Sequence, residues 1–327
     1  MAGLLEHSRQ AGWAQRWSGP DGAAATPAAT PPRESPAACL ARIESWLTLA
    51  RATQPGTALP ILHDPHGQAV WRASDLLAEA AHAGAQGLIL DTAPCTPSHG
   101  PTPLALDTHG GLHVYTPALA TEATTLLTQA LQRWQQGQAI GLLHLRVLPH
   151  AMPAPSLPRS FAAGIVHGLY PLVADPAERA VRLQLLASGA SLSAALDAAL
   201  LLRERHGLAV DVWSVTSYTA LAHEARQTRL PADAWLARQL VHPTGPVLAV
   251  TDGPGLIAQA LRPALSGERA FATLGHDDLP AGCAWTDFAP ATQAVLDTAL
   301  GLCAPDLRAQ DTPRQQRLAA WASMGSL

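Results

Sequence analysis

The stretch Val181–Leu221 reads VRLQLLASGASLSAALDAALLLRERHGLAVDVWSVTSYTAL, and its pattern decides the fold. The apolar run Val181 to Leu186 predicts a buried strand that ends at Ser188-Gly189. From Leu192 to Arg205 the residues are helix formers. Leu192, Leu196, Ala199, Leu200 and Leu202 recur at helical spacing and predict one wide apolar face. Ser188, Ser191 and Ser193 stand at the helix start, where a hydroxyl can cap free N–H groups. Arg203, Glu204 and Arg205 close the last turn, and Gly207 stands where a helix-ending glycine belongs. Ala209 to Val215 predicts a second strand. Strand, helix and strand in so short a span make a βαβ unit, and its strands should run parallel. This defines an α/β core and carries no chemistry by itself.

Composition sets the limits around that unit. A chain of 327 residues, 48% of them apolar, can bury the cores of two ordinary domains. The net charge of −4 gives no electrostatic case for nucleic acid. No run of ~18 apolar residues occurs, so no membrane span is expected, and the first residues do not read as a secretory signal. Cys39, Cys95, Cys283 and Cys303 form neither a CxxC pair nor a disulfide framework, which fits a reducing cytoplasm. His63 and His66, and His109 and His113, are closely spaced, but no cysteine or carboxylate cluster accompanies them, so no metal site is expected. The sequence contains neither lysine nor asparagine. A Walker-type phosphate loop and Schiff-base chemistry, which both need lysine, are therefore excluded.

Residues 1–36, with AAATPAATPP, predict a tail unable to build a core. Residues 37–150 read as a first α/β domain. Leu40, Ile43, Trp46, Leu47 and Ala50 predict one helix face, and Ala73 to Ala83 a second helix. Leu59 to Leu62, Gly84 to Asp91, Val114-Tyr115 and Ala139 to Val147 predict strands, with a helix from Thr116-Pro117 to about Gln135. Residues 151–175 read as a linker, because the prolines from Pro149 to Pro158 punctuate the pattern. Residues 176–305 read as a second domain. It adds a polar helical stretch from Tyr218 to Val241, strands at Pro246 to Thr251 and Ala270 to Leu274, and helices at Gly255 to Leu265 and Ala291 to Leu302. Residues 306–327 read as a polar tail.

The run LQLLASGASLSAALDAALLL followed by Asp211-Val212-Trp213-Ser214-Val215-Thr216-Ser217-Tyr218 resembles the C-terminal domain of the homodimeric-type pyruvate dehydrogenase first component. That family is thiamine-diphosphate-dependent and transketolase-like. Collinear pieces extend the resemblance to its pyrimidine-binding domain. They are Glu44-Ser45-Trp46-Leu47, Ala58-Leu59-Pro60, Asp75 to Ala80 before Ala85-Gln86-Gly87-Leu88, Tyr115-Thr116-Pro117-Ala118 and His150-Ala151-Met152-Pro153. The resemblance implies two α/β domains with mainly parallel sheets flanked by helices. One is a pyrimidine-binding domain and the other a transketolase C-terminal-like domain.

The departures bear on chemistry. The family holds the diphosphate through magnesium, on a motif that begins Gly-Asp-Gly and ends in asparagine. Asp21-Gly22 and Asp252-Gly253 lack the first glycine, and no asparagine is present. The family's aromatic strand is replaced after Pro60 by ILHDPHGQ, and its His-rich loop is reduced to DTHGGLH around His109 and His113. The cofactor's aminopyrimidine requires a carboxylate to promote its imino tautomer. The resemblance places that role near Glu34, which lies in a proline-rich run where a solvated linker carboxylate is the competing reading. Glu44 is adjacent to the Ser-Trp pair. His150 matches the family's active-site histidine before Met-Pro, against the alternative of an interdomain-loop histidine. Asp91, at a strand's carboxyl end, either faces the crevice or caps the next loop. His276, Asp277 and Asp278 read as a surface turn.

The resulting expectation is a truncated relative of the pyruvate dehydrogenase first component, catalytically incomplete alone and acting as an assembly or regulatory scaffold in the cytoplasm. The alternative is a subunit of a split 2-oxo acid dehydrogenase whose partner chain completes the thiamine diphosphate site. No cofactor is expected for the isolated chain. Thiamine diphosphate and magnesium are expected only where a partner supplies the diphosphate site. The expected partners are a second copy or a related dehydrogenase chain.

Overall fold

The computed structural model describes residues 35–67, 72–93, 112–147, 157–177, 179, 181–230, 233–240, 245–265, 269–287 and 289–304. The first sheet contains β1 (Ile61–Asp64), β2 (Gly87–Asp91), β3 (Leu112–Tyr115) and β4 (Leu142–Arg146). Its order is β1-β2-β4-β3, with every pair parallel. One face packs on α1 (Pro36–Ala52) and α2 (Ser74–His82) through Ile43, Trp46, Leu47, Leu77, Ile89 and Leu142. Ser35 caps α1 by accepting from the Ala38 N–H at 3.2 Å, and Pro36 follows where its missing N–H costs nothing. Gly87 is needed because a Cβ there would strike the Trp46 ring at 2.6 Å.

The other face of this sheet is closed by α3 (Ala120–Gln135) and by the start of the second domain. The helix begins later than Thr116-Pro117 suggests. Residues 116–119 stay outside the helix, and the Thr116 backbone serves the neighbouring domain: its N–H donates to the Thr216 carbonyl at 2.7 Å, and its carbonyl accepts from the Gly189 N–H at 3.1 Å. Within the stretch read as linker lie α4 (Ala162–His167) and β5 (Leu169–Val173), and β5 joins the second sheet.

That sheet adds β6 (Arg182–Ala187), β7 (Ala209–Val215), β8 (Val247–Val250) and β9 (Phe271–Leu274) in the order β5-β7-β6-β8-β9. Only β5 is antiparallel. Strands β7 and β8 are buried along their whole length, as strands covered on both faces must be. One face carries α5 (Ser191–His206) and α9 (residues 289–304). The other carries α6 (Tyr218–Gln227), α7 (Trp235–Gln239) and α8 (Gly255–Gln259).

The βαβ unit β6–α5–β7 is present and parallel, with Gly207 ending α5 at φ +67. Two details differ from the sequence reading. The buried face of α5 is rich in alanine (Ala194, Ala195, Ala198 and Ala199), while Leu200 points outward, since small side chains let the helix lie close to the sheet. No serine caps α5. Ser191 Oγ instead donates to the Ser188 carbonyl at 2.7 Å and the Val250 carbonyl at 3.2 Å. Within the polar stretch read as helical, the described residues form α6 and α7, and residues 255–265 form α8 and a short 3-10 turn, Arg262–Ala264. Among the described residues, no helix is long and apolar enough to cross a membrane.

Candidate functional site at the domain seam

In open α/β sheets, ligands bind beyond the carboxyl ends of the strands. The register of the first sheet brings Asp64, Asp91 and Arg146 side by side there, since Asp64 pairs with Asp91 and Asp91 with Arg146. Both aspartates are buried. His144, two residues before Arg146 on β4, projects from the same face. Its Nε2 lies 3.6 Å from Asp91 Oδ2, longer than an ordinary hydrogen bond. Asp91 Oδ1 accepts from the Ala93 N–H at 2.9 Å, so Asp91 both faces the edge and caps the following loop. Burial pushes the Asp91 carboxyl up, but His144, Arg146 and the Ala93 N–H together outweigh it. Its pKa lies below the ordinary value. Beside this group, His63 Nε2 meets Thr92 Oγ1 at 2.9 Å, and Arg42 donates to the His63 carbonyl at 2.8 Å.

Arg146 leaves the first sheet and reaches the second. Its Nη1 stands 3.7 Å from Asp252 Oδ2, at the carboxyl end of β8. Asp252 in turn packs against the start of α5, where the Ala190 N–H approaches Oδ2 at 3.4 Å. Gly189, at φ +53, makes this approach possible, because a Cβ there would meet the Asp252 carboxyl carbon at 2.7 Å. The carboxylate therefore already occupies the electropositive end of α5.

A second buried centre lies deeper in the seam. Glu122 on α3 is fully buried. Its Oε2 accepts from the Ala118 and Leu119 N–H groups at 2.7 and 2.9 Å, which caps α3. Its Oε1 accepts from Tyr170 on β5 at 2.6 Å and from Ser214 on β7 at 2.5 Å. Burial raises its pKa, against the pull of these donors. Burial and the Glu122 charge likewise push the Tyr170 phenol up. Nearby, Tyr115 donates to the Val166 carbonyl at 2.8 Å, and burial lifts its phenol to about 12.

The phrase that carries the sequence resemblance is structural throughout. Asp211 accepts from the Asp175 N–H at 2.9 Å, Arg182 Nη1 at 2.7 Å and Gln184 Nε2 at 2.8 Å. Trp213 Nε1 donates to Gln184 Oε1 at 2.8 Å. Thr216 donates to the Ile165 carbonyl at 2.6 Å, Ser217 to the Val114 carbonyl at 2.5 Å, and Tyr218 to the Val250 carbonyl at 3.0 Å. Three of these side chains, Ser214, Thr216 and Ser217, bond across to α3, α4 and β3 and so set how the domains meet.

Glu34 and His150, the residues expected to act on a cofactor or substrate, lie outside the described residues, as does His109. Glu44 is exposed on α1. His113 is described on β3. Burial lowers its pKa, and His223 and Arg133 add to the effect. His276, Asp277 and Asp278 form a 3-10 turn whose aspartates accept from the Gly255 N–H at 2.9 Å and the Gly275 N–H at 2.7 Å. Among the described residues, no group of three or more His, Cys, Asp or Glu could hold a metal ion. The seam residues Glu122, His144, Arg146 and Asp252 are not picked out as a site from sequence. Two signals were available: a glutamate three residues into a helix start, and polar residues interrupting the apolar strand LLHLR.

This architecture is that of a transketolase-type α/β protein. Residues 168–278 match the family described as "Transketolase-like TK C-terminal domain". The chain is a distant homologue of the pyruvate dehydrogenase E1 component. It is 29% identical to that of Mycobacterium tuberculosis over 245 residues, covering 71% of this chain and 26% of the relative. It is 30% identical to that of Pseudomonas aeruginosa over 172 residues, covering 50% of this chain and 20% of the relative. It thus spans about a quarter of the length of the first of these curated relatives. Among solved structures, it resembles transketolase from Leishmania mexicana at TM-score 0.54 and 21% identity, covering 76% of this chain and 34% of that one. It also resembles a "Split gene transketolase, inactive beta4 tetramer" at TM-score 0.53 and 17% identity, covering 80% of this chain and 82% of that one. At these identities the structural likeness concerns fold alone.

Proposed function

We propose that this chain is a two-domain transketolase-like subunit that is catalytically incomplete by itself and serves as an assembly or regulatory scaffold in the cytoplasm. The first domain proposed is the one read from sequence, 37–150; the second, read as 176–305, is proposed to take in β5 as well, since that strand pairs with β7. The observation that carries this reading is the closure of the seam by its own charges. Arg146 is engaged with Asp252, Asp91 with His144, and Glu122 with donors from both domains. A thiamine diphosphate site needs a place for two phosphates. The α5 start, which faces the seam, presents backbone donors but already holds the Asp252 carboxylate. A second anion there would meet like charge, so these residues do not fit the diphosphate end of the cofactor. Glu34 and His150 would serve the ring end only if another chain held the diphosphate.

A second reading has one observation in its favour. The split-gene transketolase chain is matched over most of both lengths, 80% of this chain and 82% of that one. That supports a subunit of a split 2-oxo acid dehydrogenase that works with a partner chain. Purification of the tagged full chain from its own cells, with identification of the bound chains and assay of pyruvate decarboxylation, separates the two. The scaffold reading expects self-association or a related dehydrogenase chain, with no turnover from this chain alone. A co-purified chain bearing the diphosphate motif, together with cofactor-dependent turnover, transfers the assignment to the split enzyme. A clean monomer with no bound chain contradicts both.

A further inference from the structure

Glu122 accepts hydrogen bonds from donors of both domains at once. Oε2 takes two backbone N–H groups at the start of α3, and Oε1 takes one hydroxyl from β5 and one from β7. We propose that Glu122 is a proton-dependent latch between the two domains, whose hold changes when its carboxyl gains or loses a proton.

The geometry explains why the proton matters. As a carboxylate, Glu122 accepts from all four donors. Yet it is closed to water, and its described hydrogen bonds come from two hydroxyls and two backbone N–H groups, with no cationic side chain among them. As an acid, Oε1 becomes a donor. One of the two hydroxyl bonds must then reverse, while the backbone bonds to Oε2 stay in place. The groups that face the carboxyl are Tyr170 from β5, Ser214 from β7, and the Ala118 and Leu119 N–H groups. Phe161 packs on the Tyr170 ring with centroids 5.2 Å apart, which limits how that phenol can turn. A change of direction at Oε1 therefore acts on β5 and β7 and on the angle at which they meet α3.

The sign follows from burial, which raises the folded pKa of Glu122 above its ordinary 4.5 against the opposing pull of the four donors. Folding then takes up a proton. The stability contributed by the acid form is full below the ordinary carboxylate value and is lost as pH rises through the raised folded value. Within that window the unfolding constant rises by up to about tenfold per pH unit.

The test is unfolding of the full chain across that pH range, for wild type and for Glu122→Gln, Tyr170→Phe and Ser214→Ala. The amide of Glu122→Gln can keep the contacts without titrating. The latch predicts one cooperative transition in wild type, with a pH dependence that Glu122→Gln reduces; the Asp197 carboxyl, also raised by burial, is unaltered by that change. Tyr170→Phe and Ser214→Ala should each shift the midpoint of that dependence and broaden or split the transition. If Glu122→Gln does not fold, the two hydroxyl variants still report on the same midpoint. An unchanged pH dependence in Glu122→Gln, or an unmoved midpoint in both hydroxyl variants, overturns the proposal.

Discussion

The stretch Ala209 to Tyr218 and the carboxyl edge of the first sheet are both polar, both buried and both part of the seam, yet they are built differently. In the first, Asp211, Trp213, Ser214, Thr216, Ser217 and Tyr218 each have a hydrogen-bond partner between 2.5 and 3.0 Å away. In the second, His144 and Asp91 meet at 3.6 Å and Arg146 and Asp252 at 3.7 Å, and the His144 ring nitrogens have no hydrogen-bond partner among the described residues. One region is a fully satisfied joint. In the other, two polar pairs stand farther apart beside the Asp91–Ala93 hydrogen bond. The first fixes geometry, because any displacement leaves a buried group unpaired. The second can tolerate change at smaller cost.

That contrast is broken most severely at Asp211. Asp211→Ala leaves Arg182, Gln184 and the Asp175 N–H without their shared acceptor, and should lower stability by about 4 kcal/mol. Denaturant unfolding measures this; a loss no larger than that of an average surface substitution would make the two regions equivalent. Gly189→Ala should cost roughly 3 kcal/mol, since it combines a positive φ with a clash at Asp252. Adding Asp252→Ala should return part of that loss, and a double variant no better than the single one would place the strain elsewhere.

Asp91→Asn probes the looser region and should cost about 2 kcal/mol at neutral pH. The Asp91 pKa is lowered in the fold, so its contribution is present above the unfolded value of 3.8 and is lost as pH falls through the lowered folded value. Wild type and variant should therefore converge in acid, and a gap that stays constant with pH would remove Asp91 from the charge balance. The smallest effect is expected outside both regions. Arg51 and Glu79 form an exposed pair at 3.4 Å, and Arg51→Ala should change stability by less than about 0.5 kcal/mol.

The same contrast explains what the sequence makes legible. Val247 to Val250 is apolar throughout and Ala209 to Val215 is mostly so, and such runs beside glycine leave few alternatives. The βαβ unit is readable for that reason. The buried side of α5 is not, because periodicity ranks leucine above alanine, whereas close packing on the sheet prefers Ala194, Ala195 and Ala198. The seam is harder still. Glu122 and Ser214, or Arg146 and Asp252, come together only through the docking of two domains, and no local pattern encodes that distance. Asp252-Gly253 illustrates the consequence. In sequence it is an incomplete metal motif, while in the fold its carboxylate closes the start of α5 and meets Arg146.

Titration calorimetry of the isolated full chain with thiamine diphosphate and magnesium addresses the scaffold reading most directly. With Asp252 already against the α5 start and no lysine anywhere to anchor a phosphate, no binding heat is expected at micromolar concentrations. Micromolar binding that disappears in Glu34→Ala or His150→Ala would contradict that reading and make this chain a compact enzyme carrying its own cofactor site.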